Sequence, residues 1–248
     1  PPPVLLTTTK SAVLPTLPTP FSGLLTNQGA IIAKAPAQPG YVGPGGTAAI
    51  QSSLPAATYI ASLPPRAFNE LTGTIIGGSI RASSSQDGTG VTFSISLTNL
   101  PDNAQYGPFA YHIHDSPVPA DGNCTSTLAH FDVTNRGEYI PCEVAKPETC
   151  QTGDLSGKHG TARGSSFTAE YVDDFVSTDP SSPYFIGMKS VVIHTANTTR
   201  LTCANFMVAS ENGTGAGGSG ATGTGNVTAP TATMTQPAMF TGAASKVG

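Results

Sequence analysis

The stretch VTFSISLT, residues 91–98, decides the class of fold. Apolar side chains alternate with hydroxyl side chains along it, and the apolar set is Val91, Phe93, Ile95 and Leu97. A period of two is typical of a half-buried β-strand, because successive side chains of a strand point to opposite faces. The preceding stretch ELTGTIIGGSIRAS (70–83) is rich in β-formers, and QDGTG (86–90) supplies a hairpin turn. Together these stretches predict an antiparallel hairpin.

Five further stretches have the same β-rich character. They are ATYIASL (57–63), PFAYHIHD (108–115), SFTAEYV (166–172), KSVVIHT (189–195) and TCANFMV (202–208). No window of about 12 residues has the periodicity of an amphipathic helix. Seven or eight short strands separated by Gly and Pro turns predict an all-β protein, an antiparallel sandwich or barrel. Residues 116–165 are rich in turn formers and are predicted to be a long structured loop region, where functional sites are commonly placed.

The two ends of the chain differ in composition from its middle. Residues 1–55 contain PPP, LPTLPTP and GPGG, and they are predicted to be a mostly extended Pro-rich extension. Residues 210–248 are mainly Gly, Ser, Thr and Ala, and they bury too little apolar area to offset their ordering entropy. A disordered stalk is predicted there. A cell-wall or GPI-type anchor could lie in the stalk, although the hydrophobic tail of such a signal is missing. One β domain over residues 56–209 remains.

Composition excludes several classes of protein. Charged residues are 10% of the 248, the formal net charge is −4, and there is no Lys/Arg run, which argues against a nucleic-acid partner. No apolar run approaches the ~18–20 residues of a membrane span. The four cysteines form an even set without C-x-x-C and permit two disulfides in three pairings. With these cysteines, four glycosylation sequons predict a secreted, extracellular protein; they begin at Asn123, Asn197, Asn212 and Asn226.

Four of the five histidines are candidate metal ligands. His112 and His114 are two residues apart on one predicted strand, so both side chains project to the same face. His130 lies in the loop region, and His194 lies in an apolar strand, where a lone histidine is usually a hydrogen-bonded core residue. If the H-x-H pair stood alone, the commoner explanation would be that both histidines are polar residues on a solvated face of the strand. All four together favour Cu(II), which suits an all-imidazole set without thiolate.

The motifs around these histidines are similar to those of a known family. The run HIH…C…H…GDL…VVIH…TRLTC resembles the copper-binding signature of the Cu/Zn superoxide dismutase superfamily. YHIHDSPVPADGNCTSTLAHFD, CQTGDLSGKHG and VVIHTANTTRLTCANF resemble the extracellular copper-only superoxide dismutases of fungi, over about residues 57–208. The resemblance implies a Greek-key β fold with one copper ion per chain. The copper ligands that it implies are His112, His114, His130 and His194, with Arg200 and His130 taking part in catalysis.

Departures from the zinc-containing branch imply that zinc is absent. That branch uses six histidines and an aspartate, whereas this chain has five histidines and none between His130 and Asp154. Gln151 stands where a zinc-binding histidine would align, and Asp154 stands where the zinc-binding aspartate would. Asp154 could accept a hydrogen bond from His130 or from loop backbone and so fix the ring, and an aspartate that only stabilises its loop is the alternative. Some copper-only relatives carry an acidic residue at the Gln151 position, so the amide leaves open how His130 is oriented once copper is reduced.

The resemblance also implies a disulfide pairing. It joins Cys124 to Cys203, which leaves Cys142 and Cys150 as a local clip on the loop region. From the residues alone, His159 is interpreted as a structural histidine that holds its loop by hydrogen bonds. Asp173 and Asp174 are interpreted as solvated, because neighbours on a strand point to opposite faces.

The activity that the resemblance implies is dismutation of superoxide to oxygen and hydrogen peroxide by a monomeric, cell-surface enzyme. Only five residues separate His194 from Arg200, so the copper site is expected to be open to solvent. A surface protein that binds or buffers copper with little dismutase activity is the first alternative. A structural or adhesive wall module that keeps the fold without metal is the second, because a fold does not fix a function.

Overall fold

The computed structural model of the protein describes residues 38–209 apart from Tyr139, together with the backbone of two short strands nearer the N-terminus. These strands are β1 (Leu24–Leu25) and β2 (Ile31–Ile32), which pair with each other in antiparallel fashion. The rest of residues 1–37 and the predicted stalk at 210–248 lie outside the described residues.

The stretch that decides the fold is a strand within a five-stranded antiparallel sheet. It forms β5 (Val91–Thr98), which lies between β4 (Gly77–Ser84) and β7 (Ser166–Asp173). Beyond β4 lie β3 (Thr58–Ser62) and then β10 (Met207–Val208) at the edge. The four apolar side chains that alternate along β5 are each at most 2% exposed, because they face the core. The predicted alternation is therefore confirmed.

The second sheet has three strands and carries the histidines of interest. Its strands are β6 (Ala110–His114), β8 (Ser190–His194) and β9 (Arg200–Asn205), in the order β6-β8-β9. β6 and β8 are antiparallel, with Ala110 opposite His194. Between β8 and β9 the register shifts at Ile193/His194. The predicted H-x-H strand and the predicted S-V-V-I-H strand are therefore direct neighbours.

The two sheets pack face to face around one hydrophobic core. Both contribute large, fully buried side chains, among them Ile80, Phe93, Ile95, Tyr111, Ile113 and Ile193. The chain crosses to the second sheet after β5, returns to place β7 beside β5, and crosses again to form β8. Such crossing connections are typical of Greek-key sandwiches. This arrangement of eight antiparallel strands confirms the predicted fold class.

Helices are few and short, as the lack of helical periodicity predicts. They are α1 (Asn103–Tyr106) and α2 (Leu155–His159), with 3-10 turns at Glu70–Thr72, Cys124–Thr127 and Pro147–Thr149. Within the part of the chain that the structure describes, no helix has the length and apolar character needed to cross a bilayer.

Helix α2 is fixed to the end of β7 by a buried carboxylate. Asp173 is 1% exposed and accepts hydrogen bonds from Lys158 Nζ at 2.5 Å and from His159 Nε2 at 2.8 Å. The interpretation of Asp173 as solvated is therefore wrong. Asp173 and Asp174 occupy different faces as expected. The side chain of Asp173 points inward, where two donors from α2 bind it. His159 also stacks on Tyr171 with ring centroids 3.9 Å apart, which is a structural role.

Part of the Pro-rich extension is bound against the loop region. We call residues 38–51 the N-terminal strap. Gly45 N donates to Thr134 O at 2.8 Å, and Ala48 N donates to Glu148 O at 2.7 Å. A Cβ atom on Gly45 would lie 2.3 Å from Thr134 O, so only glycine permits this close approach. The strap thus lies against the loop region that precedes α2.

Candidate metal centre

Three separated segments position the four candidate ligands. β6 directs His112 and His114 to the same side, because strand residues two apart share a face. His194 is the last residue of β8, which pairs with β6. His130 follows the 3-10 turn Cys124–Thr127 and forms an isolated antiparallel bridge with His114. The pairing of β6 with these two segments therefore brings all four rings together beside the second sheet.

The four imidazoles meet around one point. One ring nitrogen from each of His112, His114, His130 and His194 can be chosen so that all four lie within 4.8 Å of one another. His114 and His194 are buried, while His112 and His130 are half-buried. This is the size of cluster that can enclose a single metal ion.

Two of these rings face each other with unprotonated nitrogens. His114 Nδ1 donates to Leu128 O and His194 Nδ1 donates to Thr198 O, both at 3.0 Å, since a carbonyl oxygen can only accept. Burial, reinforced by nearby positive groups, lowers the pKa of both imidazoles, so both rings are neutral. Each Nε2 therefore carries a lone pair, and the two Nε2 atoms are 3.2 Å apart. Two facing acceptors are unfavourable unless a cation lies beside them.

The other two rings also keep one nitrogen free for a metal. His112 Nε2 lies 3.4 Å from Asp154 Oδ1, whereas its buried Nδ1 has no hydrogen-bond partner among the described residues. A buried nitrogen without a partner is rare in proteins, and a bound metal ion would satisfy its lone pair. His130 Nδ1 donates to Gln151 Oε1 at 2.7 Å, which leaves its Nε2 as the acceptor. The free atoms are thus Nδ1 of His112 and Nε2 of the other three.

The donor set suits copper. All four atoms are imidazole nitrogens, and thiolate is not available because all four cysteines are paired in disulfides. Nitrogen-only sets favour Cu(II) in tetragonal geometry, and Cu(II) stands highest in the affinity order of divalent first-row metals. The residues therefore fit the ion that the resemblance implies.

Arg200 is joined to the ligands through one carbonyl. Its guanidinium donates to the oxygen of Cys124, to Thr127 Oγ1 at 2.9 Å and to the oxygen of Leu128. Leu128 O also accepts the proton of His114 Nδ1, so a single atom separates the arginine from a candidate ligand. Burial lowers the pKa of Arg200 from its usual value, but guanidinium groups remain charged at neutral pH. A fixed positive charge therefore lies beside the cluster.

Asp154 contacts a different histidine from the one expected. It is the N-cap of α2, where Oδ1 accepts from Gly157 N at 2.7 Å, and it faces His112 rather than His130. Its burial opposes ionisation, but the hydrogen bond and charge of His112 outweigh burial and hold the pKa of Asp154 well below its usual range. Of the two expected contacts, the one with loop backbone is present through Gly157 N, whereas the ring that Asp154 contacts is His112 and not His130. Gln151 contacts His130 instead.

Sequence reasoning missed Glu138. Glu138 Oε1 accepts a hydrogen bond from His130 N at 2.9 Å and lies 3.9 Å from His130 Nδ1. The residue follows His130 by eight positions in an irregular loop, where no periodicity relates side-chain directions. The turn that returns it to His130 could not be recognised from motif spacing. Leu128 and Thr198 were missed for a different reason, since they act through backbone carbonyls.

The cysteines and two of the sequons lie close to this site. The structure pairs Cys124 with Cys203 and Cys142 with Cys150, as the resemblance implies. The first bridge connects the turn before His130 to β9. Asn123 is half-buried and Asn197 is exposed in the connection between β8 and β9. Glycosylation at both asparagines stays a prediction, and Asn212 and Asn226 lie outside the described residues.

The chain belongs to the copper/zinc superoxide dismutase family, whose model matches residues 76–225. A cell surface Cu-only superoxide dismutase of Arthroderma benhamiae is 39% identical over 184 residues, which cover 63% of this chain and 48% of that protein. Cell surface Cu-only superoxide dismutase 5 of Candida albicans is 40% identical over 144 residues, which cover 58% of this chain and 60% of that protein. The chain therefore spans about half the length of these curated relatives.

A solved structure is similar over the described domain. Candida albicans superoxide dismutase 5 with Cu(II) superimposes with a TM-score of 0.55 and 35% identity, covering 66% of this chain and 100% of that one. Family membership confirms the resemblance found in the motifs. The cell-surface names of the relatives agree with the predicted extracellular, cell-surface location.

Proposed function

We propose that this protein is an extracellular copper-only superoxide dismutase. One copper ion per chain is held by His112, His114, His130 and His194. The observation that carries this assignment is the pair of neutral Nε2 atoms of His114 and His194, 3.2 Å apart with both lone pairs inward. The names of the relatives add support, since two of them are called Cu-only superoxide dismutases.

The residues around the cluster suit a small anionic substrate. Bound copper would supply a one-electron couple that oxidises one superoxide to oxygen and reduces a second, with two protons, to hydrogen peroxide. Arg200 supplies a positive charge beside this ion and is held in place by four oxygen acceptors of the 124–128 segment. A charge fixed in advance attracts an anion without the cost of reorganising the site.

The net charge of −4 does not oppose this activity. Exposed charges separated by more than about 8–10 Å are largely screened at physiological ionic strength, so the local charge at the site dominates. Superoxide dismutases are well-known examples of enzymes whose charges steer the substrate to the site. The strength of steering that we expect here is taken from those enzymes. The five-residue connection between His194 and Arg200 is too short to form a charged covering loop.

His130 is oriented without a second metal. Its Nδ1 donates to the neutral amide oxygen of Gln151, which is 6% exposed. The fifth histidine, His159, is engaged by Asp173 and Tyr171 and does not belong to the cluster. Asp154 is engaged by His112 and by Gly157 of α2. These contacts support a copper site without zinc, because the groups that zinc would need are missing or occupied.

The location and partners follow from the same features. Two disulfides, the sequons and the relatives' names favour the cell surface, with attachment through an anchor in the stalk at 210–248. Superoxide is the proposed substrate, the protein acts as a monomer, and it has no nucleic-acid partner, since it lacks a Lys/Arg run.

The test is metal analysis followed by kinetics. After copper loading and dialysis, we expect about one copper and negligible zinc per chain, a four-nitrogen Cu(II) EPR spectrum, and rapid catalysed decay of superoxide. His194→Ala should lose bound copper. Arg200→Ala should keep it and lower the rate constant by about ten-fold or more, because local steering is lost. The matched control is Arg163→Ala, which removes an exposed arginine outside the site. Protein that binds no copper contradicts the proposal and favours a metal-free wall module.

The alternative function is copper binding or buffering with little turnover, and the neutral Gln151 is the observation that favours it. The same kinetics separate the two functions. A buffering protein would bind one copper with the same EPR spectrum, but superoxide decay would be slow in the wild type and insensitive to Arg200→Ala.

A further inference from the structure

The backbone and ring of His130 are held from two sides. Glu138 Oε1 accepts the hydrogen bond of His130 N at 2.9 Å, and Gln151 Oε1 accepts that of Nδ1 at 2.7 Å. Glu138 Oε1 also lies 3.9 Å from Nδ1. The carboxylate is therefore close enough to act electrostatically on the ring and on any ion that the ring binds.

The loop around Glu138 is anchored, so the position of the carboxylate is defined. Asp132 Oδ2 accepts from Gly137 N at 2.8 Å, and this contact closes the turn that returns the chain to His130. Arg136, 4% exposed, donates to Pro141 O at 2.6 Å and to Thr149 O. The residues on both sides of Glu138 are thus held by hydrogen bonds. A side chain that is placed in this way is not an incidental surface group.

Two positively charged side chains, Lys189 and Arg200, lie near Glu138. Lys189 lines the same cleft, but its Nζ donates to Asp115 O at 2.9 Å and to Asp115 Oδ1 at 2.6 Å, so its charge is already paired. Gln151 is neutral. Within the described residues, Glu138 makes no ion pair with a lysine or arginine under 4 Å, and Arg200 interacts with its charge only at longer range. His130 is the ring that its carboxylate approaches.

We propose that Glu138 is a positioning residue for His130 and that its carboxylate makes the reduction potential of the bound copper more negative. This inference rests on the proposed copper function. A negative charge near the metal stabilises Cu(II) relative to Cu(I), because the more positive ion gains more from it. The chain thus places a carboxylate beside His130 from a loop residue, while an amide contacts the ring directly.

The experiment measures the copper potential of three variants by redox titration followed by EPR. Glu138→Gln keeps an acceptor for His130 N but removes the negative charge. At a fixed solution potential, this variant should raise the ratio of Cu(I) to Cu(II) by about two- to ten-fold. Glu138→Asp keeps the charge and should stay near the wild type. Adding Gln151→Glu to Glu138→Gln returns a carboxylate to the ring and should restore the potential.

The matched control is Glu170→Gln, which removes one exposed charge on β7 away from the cluster and should leave the potential unchanged. A Glu138→Gln protein with the potential of the wild type overturns the inference, as does a double variant that shifts further in the same direction. If Glu138→Gln proves unstable, Glu138→Ala replaces it. The copper potential of Glu138→Ala is then compared with that of the double variant Glu138→Ala with Gln151→Glu. Failure of the wild type to bind copper contradicts the proposed function instead, so the two failures are distinguishable.

Discussion

At the scale of single residues, the carbonyl oxygen of Leu128 accepts hydrogen bonds from both the candidate ligand His114 and Arg200. Leu128 has φ 63° and ψ −145°, in a region that favours glycine, and its side chain is 57% exposed. Thr198, whose carbonyl accepts from His194, also has a positive φ, of 69°. The two oxygens that fix the tautomers of His114 and His194 therefore both come from strained non-glycine residues, as is common at functional sites.

We predict that Leu128→Gly raises the melting temperature of the copper-free protein by about 2–4 °C. Relief of backbone strain contributes about 1–3 kcal/mol, and the greater freedom of glycine in the unfolded chain offsets up to about 1 kcal/mol of it. The control is Asn135→Gly, since asparagine tolerates its positive φ of 53° at little cost. Calorimetry checks both variants, and a lower melting temperature for Leu128→Gly would show that its packing outweighs the strain.

At the scale of elements, helix α2 (Leu155–His159) joins the candidate site to the five-stranded sheet. Its N-cap residue Asp154 contacts His112, and its last turn supplies Lys158 and His159 to Asp173 at the end of β7. The Lys158 and Asp173 side chains are both fully buried. A five-residue helix is too short to be stable alone, so these contacts hold it in place.

We predict that Asp173→Asn destabilises the protein by about 3–5 kcal/mol, because it leaves the Lys158 ammonium buried without its partner. The control Asp174→Asn, at the neighbouring half-buried position, should change the free energy of unfolding by less than about 1 kcal/mol. Denaturant unfolding measures both. Replacing the pair together, as Lys158→Met with Asp173→Leu, should recover most of the loss; equal losses in the single and double variants would assign the effect to packing.

Sequence alone could predict most elements and few of the loop contacts. Alternation along β5 and the apolar runs of β6 and β8 located strands to within a few residues, because the period of two is a local signal. The orientation of Asp173 depends on α2, which is distant in the chain, and the approach of Glu138 to His130 depends on an irregular turn. Neither has a local signature, so the first was predicted wrongly and the second was missed.

At the scale of the whole molecule, folding places several imidazoles where they resist protonation. Burial is the main cause that lowers the pKa of His114, His130 and His194, and the charges of neighbouring rings add to it. An unfolded histidine titrates near 6.5. Below that pH the unfolded chain binds protons that the folded chain does not, so acid favours unfolding.

We predict that the copper-free protein loses stability as the pH falls from 7 to 5, by about 1 kcal/mol per pH unit for each of these histidines at most. Differential scanning calorimetry in buffers of different ionisation enthalpy should show proton uptake on unfolding at pH 5.5. Copper should delay the loss to lower pH, because the metal competes with protons for the same nitrogens. A separate loss below about pH 4 is expected from Asp173, whose pKa is held low by Lys158 and His159 against its burial. Constant stability from pH 7 to 5 contradicts the prediction.

The N-terminal strap has a practical consequence for how this protein is divided for study. Composition places the start of the β domain at residue 56, yet residues 38–51 supply hydrogen-bond partners to the segment between His130 and α2. Arg136, two positions before Glu138, donates to Tyr41 O at 3.0 Å. A fragment cut at the compositional boundary would remove that acceptor from the very loop that approaches His130. Boundaries chosen from low complexity alone would thus alter the surroundings of His130, a proposed copper ligand more than 70 residues away, and residue 38 is the safer starting point.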